Sequence, residues 1–172
     1  MATLSVSGAW LVDERWTIRG SVGRILDGAL LSDELTVHDV EPGGVIALGA
    51  EYRALIGEGA IPFVDLSMFV SAAWAETVAA NSGKKVGYTA TDVRLGARAG
   101  WNIEGNAFPY VAVRAFGGPP KWEMEGEEVL GSDIYHYQLA LGAAGQIGPT
   151  GFFVEWSGLG ERAISSGVSA TF

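Results

Sequence analysis

The feature that most narrows what this chain can fold into is a two-residue alternation of apolar with small or polar side chains, sustained in stretches of about ten residues and carried to the last residue. In "AISSGVSATF" one parity holds Ile164, Ser166, Val168, Ala170 and Phe172, and the other holds Ser165, Gly167, Ser169 and Thr171. A side-chain period of two is the mark of a strand with two unlike faces. Ten such stretches are predicted: 3–12, 16–26, 29–38, 44–56, 63–76, 86–101, 107–116, 134–144, 150–158 and 164–172. They are divided by Gly, Asp, Asn and Pro, and no segment has a helical period. The third, "ALLSDELTVHD", is the weakest, because Asp33 falls on its apolar parity. It is retained because Asp27-Gly28 reads as a hairpin turn and because an even count brings both chain ends to one side.

The chain of 172 residues suits a single domain over 1–172. Its 11 basic residues against 20 acidic ones exclude a phosphate-binding surface, so no nucleic-acid partner is expected. With no cysteine, disulfides and thiolate metal sites are excluded, and the two histidines lack a metal-ligand spacing. Neither a metal nor a cofactor is expected. The start "MATLSVSGAW" has no basic region followed by an apolar core, so any signal peptide is expected to have been removed.

Alternation by itself leaves open which face looks inward. The polar parity carries Arg19, Arg53, Arg94, Arg98 and Arg114 with Glu51, Asp65, Asp92 and Glu155, padded by Gly, Ala and Ser, and it carries no lysine. Bidentate guanidinium–carboxylate pairs suit a narrow interior, whereas a solvent-facing sheet would use Lys freely. The opposite parity is charge-free in strand interiors, with Arg24 and Glu76 placed near strand ends. Large aromatics on it gather at two levels. Trp10, Trp16, Trp74, Tyr135 and Trp156 are expected toward the long-loop ends, and Tyr52, Trp101, Phe152 and Phe172 toward the short-turn ends, as two interfacial girdles.

On these residues the chain resembles the small bacterial outer-membrane β-barrels of the OmpA/OmpX-type class, and its terminal "AISSGVSATF" resembles the C-terminal assembly signal of that class. The resemblance implies an all-β fold: one antiparallel, up-and-down transmembrane β-barrel of about ten strands, with eight as the alternative. It implies the lipid bilayer and the outer-membrane assembly machinery, reading the C-terminal strand, as partners. The function expected is non-enzymatic, with a charge-plugged lumen and a structural or surface-binding role toward an unidentified external ligand. Three alternatives stay open: a narrow channel, a soluble lipocalin-like barrel, and a lipid-modifying enzyme using His136, which shares the polar parity with Gln138. The acidic loop 117–133, with Trp122 and Met124 read as exposed, is the candidate for outside contacts.

Overall fold

The computed structural model describes residues 1–31, 37–79, 83, 85–124, 127–131 and 135–171. Among these every regular element is a strand. In chain order they are β1 (Ala2–Leu11), β2 (Trp16–Leu31), β3 (Val37–Val40), β4 (Gly43–Leu55), β5 (Phe63–Ala79) and β6 (Lys85–Gly100). There follow β7 (Ala107–Gly117), β8 (Pro120–Met124), β9 (Glu127–Leu130), β10 (Tyr137–Ile147), β11 (Thr150–Gly160) and β12 (Ala163–Ala170). All pairings are antiparallel.

The twelve segments reduce to nine strands, because three pairs lie end to end. β3 and β4 both run between β2 and β5, interrupted at Glu41-Pro42, so the pairings of these four segments close on themselves. Proline has no N–H to give a ladder, which accounts for the break. β8 extends β7 along β6 past Gly118-Pro119, and β9 returns along β8 toward β10. The result is a meander in which each strand pairs with the next, β1 pairs with β2, and β12 pairs with β11.

The register corrects the sequence reading around residue 28. Asp27-Gly28 makes no turn; it lies inside β2, which runs on to Leu31, where Gly28 faces Val40 and Asp27 faces Ala2. The stretch 29–38 is therefore the end of one strand and the start of the next. Asp33 lies outside the described residues. With one strand fewer than expected the count among the described residues is odd, so Ala2 and Thr171 lie at opposite ends of the sheet rather than on one side. At one end Ala2 pairs with Asp27; at the other Thr171 donates its N–H to the Pro149 carbonyl at 2.9 Å. Arg24 is likewise in the middle of β2 and not at its end, facing Leu4 and Gly44.

The sheet has barrel character. Arg94 on β6 reaches Glu161 beyond β11 at 3.7 Å, and the rings of His38 on β3 and Trp122 on β8 lie 5.4 Å apart, so strands that are not neighbours meet across one concave side. That side is the polar parity. On β5 it is Asp65, Ser67, Phe69 and Ser71, buried or half-buried, while Leu66, Met68 and Val70 on the outer parity are 46%, 55% and 47% exposed. Leu48, Val93, Leu95, Val113 and Leu141 are exposed on the same outer face. At the two edge strands β1 and β12 most residues of both parities are exposed.

Candidate functional site

Charged side chains on the concave face are brought together by register. Arg53 faces Asp65 across β4 and β5, and Asp65 faces Arg98 across β5 and β6, which sets three charges in one row. Both guanidiniums converge on the one buried carboxylate. Arg53 donates from Nε to Asp65 Oδ1 at 2.5 Å and from Nη2 to Oδ2 at 3.3 Å, and Arg98 donates from Nε and Nη2 to Oδ2 at 3.2 and 2.7 Å. The Phe63 ring lies against both, 5.4 Å from the Arg53 guanidinium carbon and 5.8 Å from that of Arg98. A guanidinium over a ring face is attracted by the ring quadrupole.

A second unit forms one layer further round. Arg114 grips Glu155 in a fork, Nη1 to Oε1 and Nη2 to Oε2 at 2.7 Å each, and Nη1 also donates to Gln138 Oε1 at 2.8 Å. The Tyr110 ring lies beside this unit, its centre 5.3 Å from the Arg98 guanidinium carbon. Gly142 admits the Tyr110 ring, because a Cβ there would overlap it. Arg19 lies 3.0 Å from Glu51 through Nε. Arg94 is held more loosely, 3.4 Å from Asp92 and 3.7 Å from Glu161, with its guanidinium carbon 4.7 Å from the centre of the Phe116 ring.

Each of the nine polar-face residues singled out in the sequence thus contacts another of the nine. The pairing was not legible there: Asp65, a candidate partner for Arg94 by face alone, belongs to Arg53 and Arg98. Tyr110, Gln138, Phe63 and Glu161 take part as well. Phe63, Tyr110 and Gln138 stand on the polar parity, which could have marked them, whereas Glu161 sits in a turn where no parity applies.

The aromatics divide differently from the expectation. Trp16 packs on Tyr52, ring centroids 4.9 Å apart, and Trp10 faces Ile18 near the same turn, so Trp10 and Trp16 lie at the short-turn end with Tyr52, Trp101 and Phe152. The third strand expected at 29–38 is absent, and one strand fewer moves the turn between β1 and β2, with Trp10 and Trp16, to the end where Tyr52 lies. Trp74, Tyr135 and Trp156 lie toward the other end. Phe172 lies outside the described residues.

Beyond Trp74 the sheet continues, and its faces exchange character. Ile25, Val40, Thr77 and Val86 are buried on the concave side together with His38, and Val40, Thr77 and Val86 stand in one cross-strand row. The opposite side there carries Asp39, Glu41, Glu76 and Lys85, with Lys85 Nζ donating to Glu41 at 2.8 Å and Glu76 at 3.4 Å. Trp122, read as exposed, is half-buried against His38 and Tyr88. The Met124 side chain lies outside the described residues. His136 is exposed and precedes β10; its carbonyl accepts from the Phe116 N–H at 2.9 Å.

No group of three or more His, Cys, Asp and Glu that could hold a metal occurs among the described residues. No protein-family model matches the chain, no curated protein is similar to it in sequence, and no solved structure matches it.

Proposed function

We propose that this chain is a non-enzymatic outer-membrane β-barrel with a charge-plugged interior and a structural or surface-binding role. The observation that carries the reading is the inversion of the sheet at the row of Trp74. On the short-turn side of that row apolar side chains face out and charges face in; beyond it charges face out and apolar side chains pack inward. A sheet wholly in water has no reason to change sign part-way along its strands, whereas one that leaves a bilayer does. The length agrees. From the Tyr52 and Leu66 row to the Gly44 and Trp74 row is about nine residues, and a tilted strand needs about 9–11 to cross a bilayer.

The edges β1 and β12 fit closure into a ring. Each turns small residues inward, Ser5 and Ser7 on one and Ser165, Gly167 and Ser169 on the other, and apolar residues outward, Leu4, Val6 and Trp10 against Ile164 and Val168. In this reading the bilayer covers the outer band, the assembly machinery reads the C-terminal strand, and the extension past Trp74 stands in water on the long-loop side. The ion-paired interior favours a plug over a channel, since Glu51, Asp65, Asp92 and Glu155 are each already paired with arginine.

The deciding experiment is refolding with and without detergent, followed by gel migration with and without boiling. The expected result is that the protein needs detergent and migrates differently once boiled, because a closed barrel resists unravelling. A species that is monomeric and soluble without detergent overturns the proposal.

A further inference from the structure

At the short-turn end the concave face opens into a cavity of about 280 Å³ lined by Arg53, Arg98, Phe63, Phe108, Tyr110 and Asn102. Two facts about its charge stand together. Arg53 and Arg98 share a single carboxylate, so the row carries one positive charge more than it neutralises. The nearby acids are committed elsewhere, Glu51 to Arg19 and Glu155 to Arg114. Across the nine polar-face residues there are five arginines and four acids, in a chain whose formal charge is -9. With Glu161 on Arg94 the face as a whole is balanced, five arginines to five acids, so the excess is local to the Arg53–Asp65–Arg98 row.

The donors are available. Both arginines engage Asp65 through Nε and Nη2, which leaves Nη1 of each, among the described residues, for a further acceptor. Their side chains are 41% and 31% exposed, whereas that of Asp65 is 6% exposed beneath them. Guanidinium forks suit carboxylate oxygens, and the remaining wall is mostly apolar, with Phe63, Phe108, Tyr110, Ile56 and Ala144 beside Asn102, as in pockets that seat an apolar body by shape and orient it through a few polar groups.

We infer that this cavity binds a small organic anion, a carboxylate carried on a flat apolar body, with the carboxylate against Arg53 and Arg98 and the body between Phe63, Phe108 and Tyr110. The site does not depend on the membrane reading, since it is defined by side chains of one mouth of the sheet.

The test is titration calorimetry of the refolded protein with benzoate and with benzyl alcohol, which has a similar shape and no charge. Benzoate should bind at least tenfold more tightly than benzyl alcohol, and added salt should weaken it. Arg98→Met should weaken benzoate at least tenfold and leave benzyl alcohol little changed, while Asp65→Asn, which removes the competing carboxylate, should tighten benzoate by about tenfold. Equal affinity for the two probes overturns the proposal, as does benzoate binding that is indifferent to Arg98→Met or not strengthened by Asp65→Asn. The wild-type comparison of probes and its salt dependence stand even if a variant fails to fold.

Discussion

Residues 66–74 and 75–79 of β5 belong to one strand, yet the two lengths obey opposite rules. In the first, Leu66, Met68 and Val70 point outward beside Asp65, Ser67 and Ser71 on the concave side; in the second, Glu76 points outward and Thr77 is fully buried. The ladder with β6 runs from Phe63 to Val78 without a register shift. On the other side of β5 the pairing moves over by one residue between Gly44↔Trp74 and Val40↔Thr77, a bulge at Glu41-Pro42 that swaps the faces of β3 relative to β4; within β5 itself parity is unbroken and the residue types change sides. What differs is the surroundings each face is built for.

The largest effect expected from pitting these regions against each other is inside the first. Arg114→Met strands Glu155, whose side chain is 11% exposed, and removing one partner of a buried pair costs about 3–5 kcal/mol. Urea unfolding in lipid vesicles should register the loss, and adding Glu155→Gln should restore part of it. An equal loss in the single and double variants would show that the fork contributes packing and not charge.

Next is the outer face. Val70, opposite Leu48 and Val93, lies midway between the two aromatic rows, whereas Leu66 lies beside Tyr52 at one of them. With the outer band in a bilayer as proposed, Val70→Arg should cost about 2–4 kcal/mol and Leu66→Arg clearly less, because the penalty falls from midplane to interface. Glu76→Arg, on the same face of the same strand, should change stability by no more than about 0.5 kcal/mol. If Val70→Arg were as harmless as Glu76→Arg, the contrast between the regions would be lost.

In the second region the concave side should behave as an ordinary core. Ile25 is 2% exposed, and truncating it to Ala removes buried methylenes at a cost of about 2 kcal/mol, the low end for such changes because the extension is small and can relax. Hydrogen exchange should show the loss confined to β3 and the adjoining ends of β2 and β5. Opening that spreads through the Arg53–Asp65–Arg98 row would mean the two regions unfold as one.

The smallest effect concerns the exposed turn joining β1 to β2. Asp13 accepts from the Arg15 and Trp16 N–H groups at 2.7 Å each, and these backbone donors hold its carboxyl below the ordinary value of 3.8. A lowered folded-state value means that the support is complete above about pH 4 and lost as pH falls through the lower folded value. Protection of the Trp16 amide should drop over that acid range in wild type and be low at every pH in Asp13→Ala, with the extension past Trp74 unaffected.

Much of this was legible in the sequence, for a physical reason. A strand has a period of two whatever surrounds it, so the parities of β4, β5 and β6, and hence which residues share a face, follow from residue order alone. Face membership brought Arg19, Arg53, Arg94, Arg98 and Arg114 together with Glu51, Asp65, Asp92 and Glu155. Partner choice did not follow, because it depends on inter-strand register: Asp65 meets Arg98, 33 residues on, only because Phe63 is set opposite Gly100. The 29–38 stretch misled for a related reason. Asp27-Gly28 has the composition of a hairpin turn, but pairing to Val40 and Ala2 holds it extended, and tertiary contacts override a local signal of that size.

Residue order by itself thus determined an all-β chain, its two unlike faces and the absence of cysteine chemistry. Only the tertiary structure decided that Asp27-Gly28 lies inside a strand, and that Trp10 and Trp16 therefore stand with Tyr52. It alone decided that two arginines share one carboxylate at the mouth of a cavity. Periodicity is a property of single strands, whereas curvature, register and the sharing of a charge arise between strands, where residue order alone does not reach.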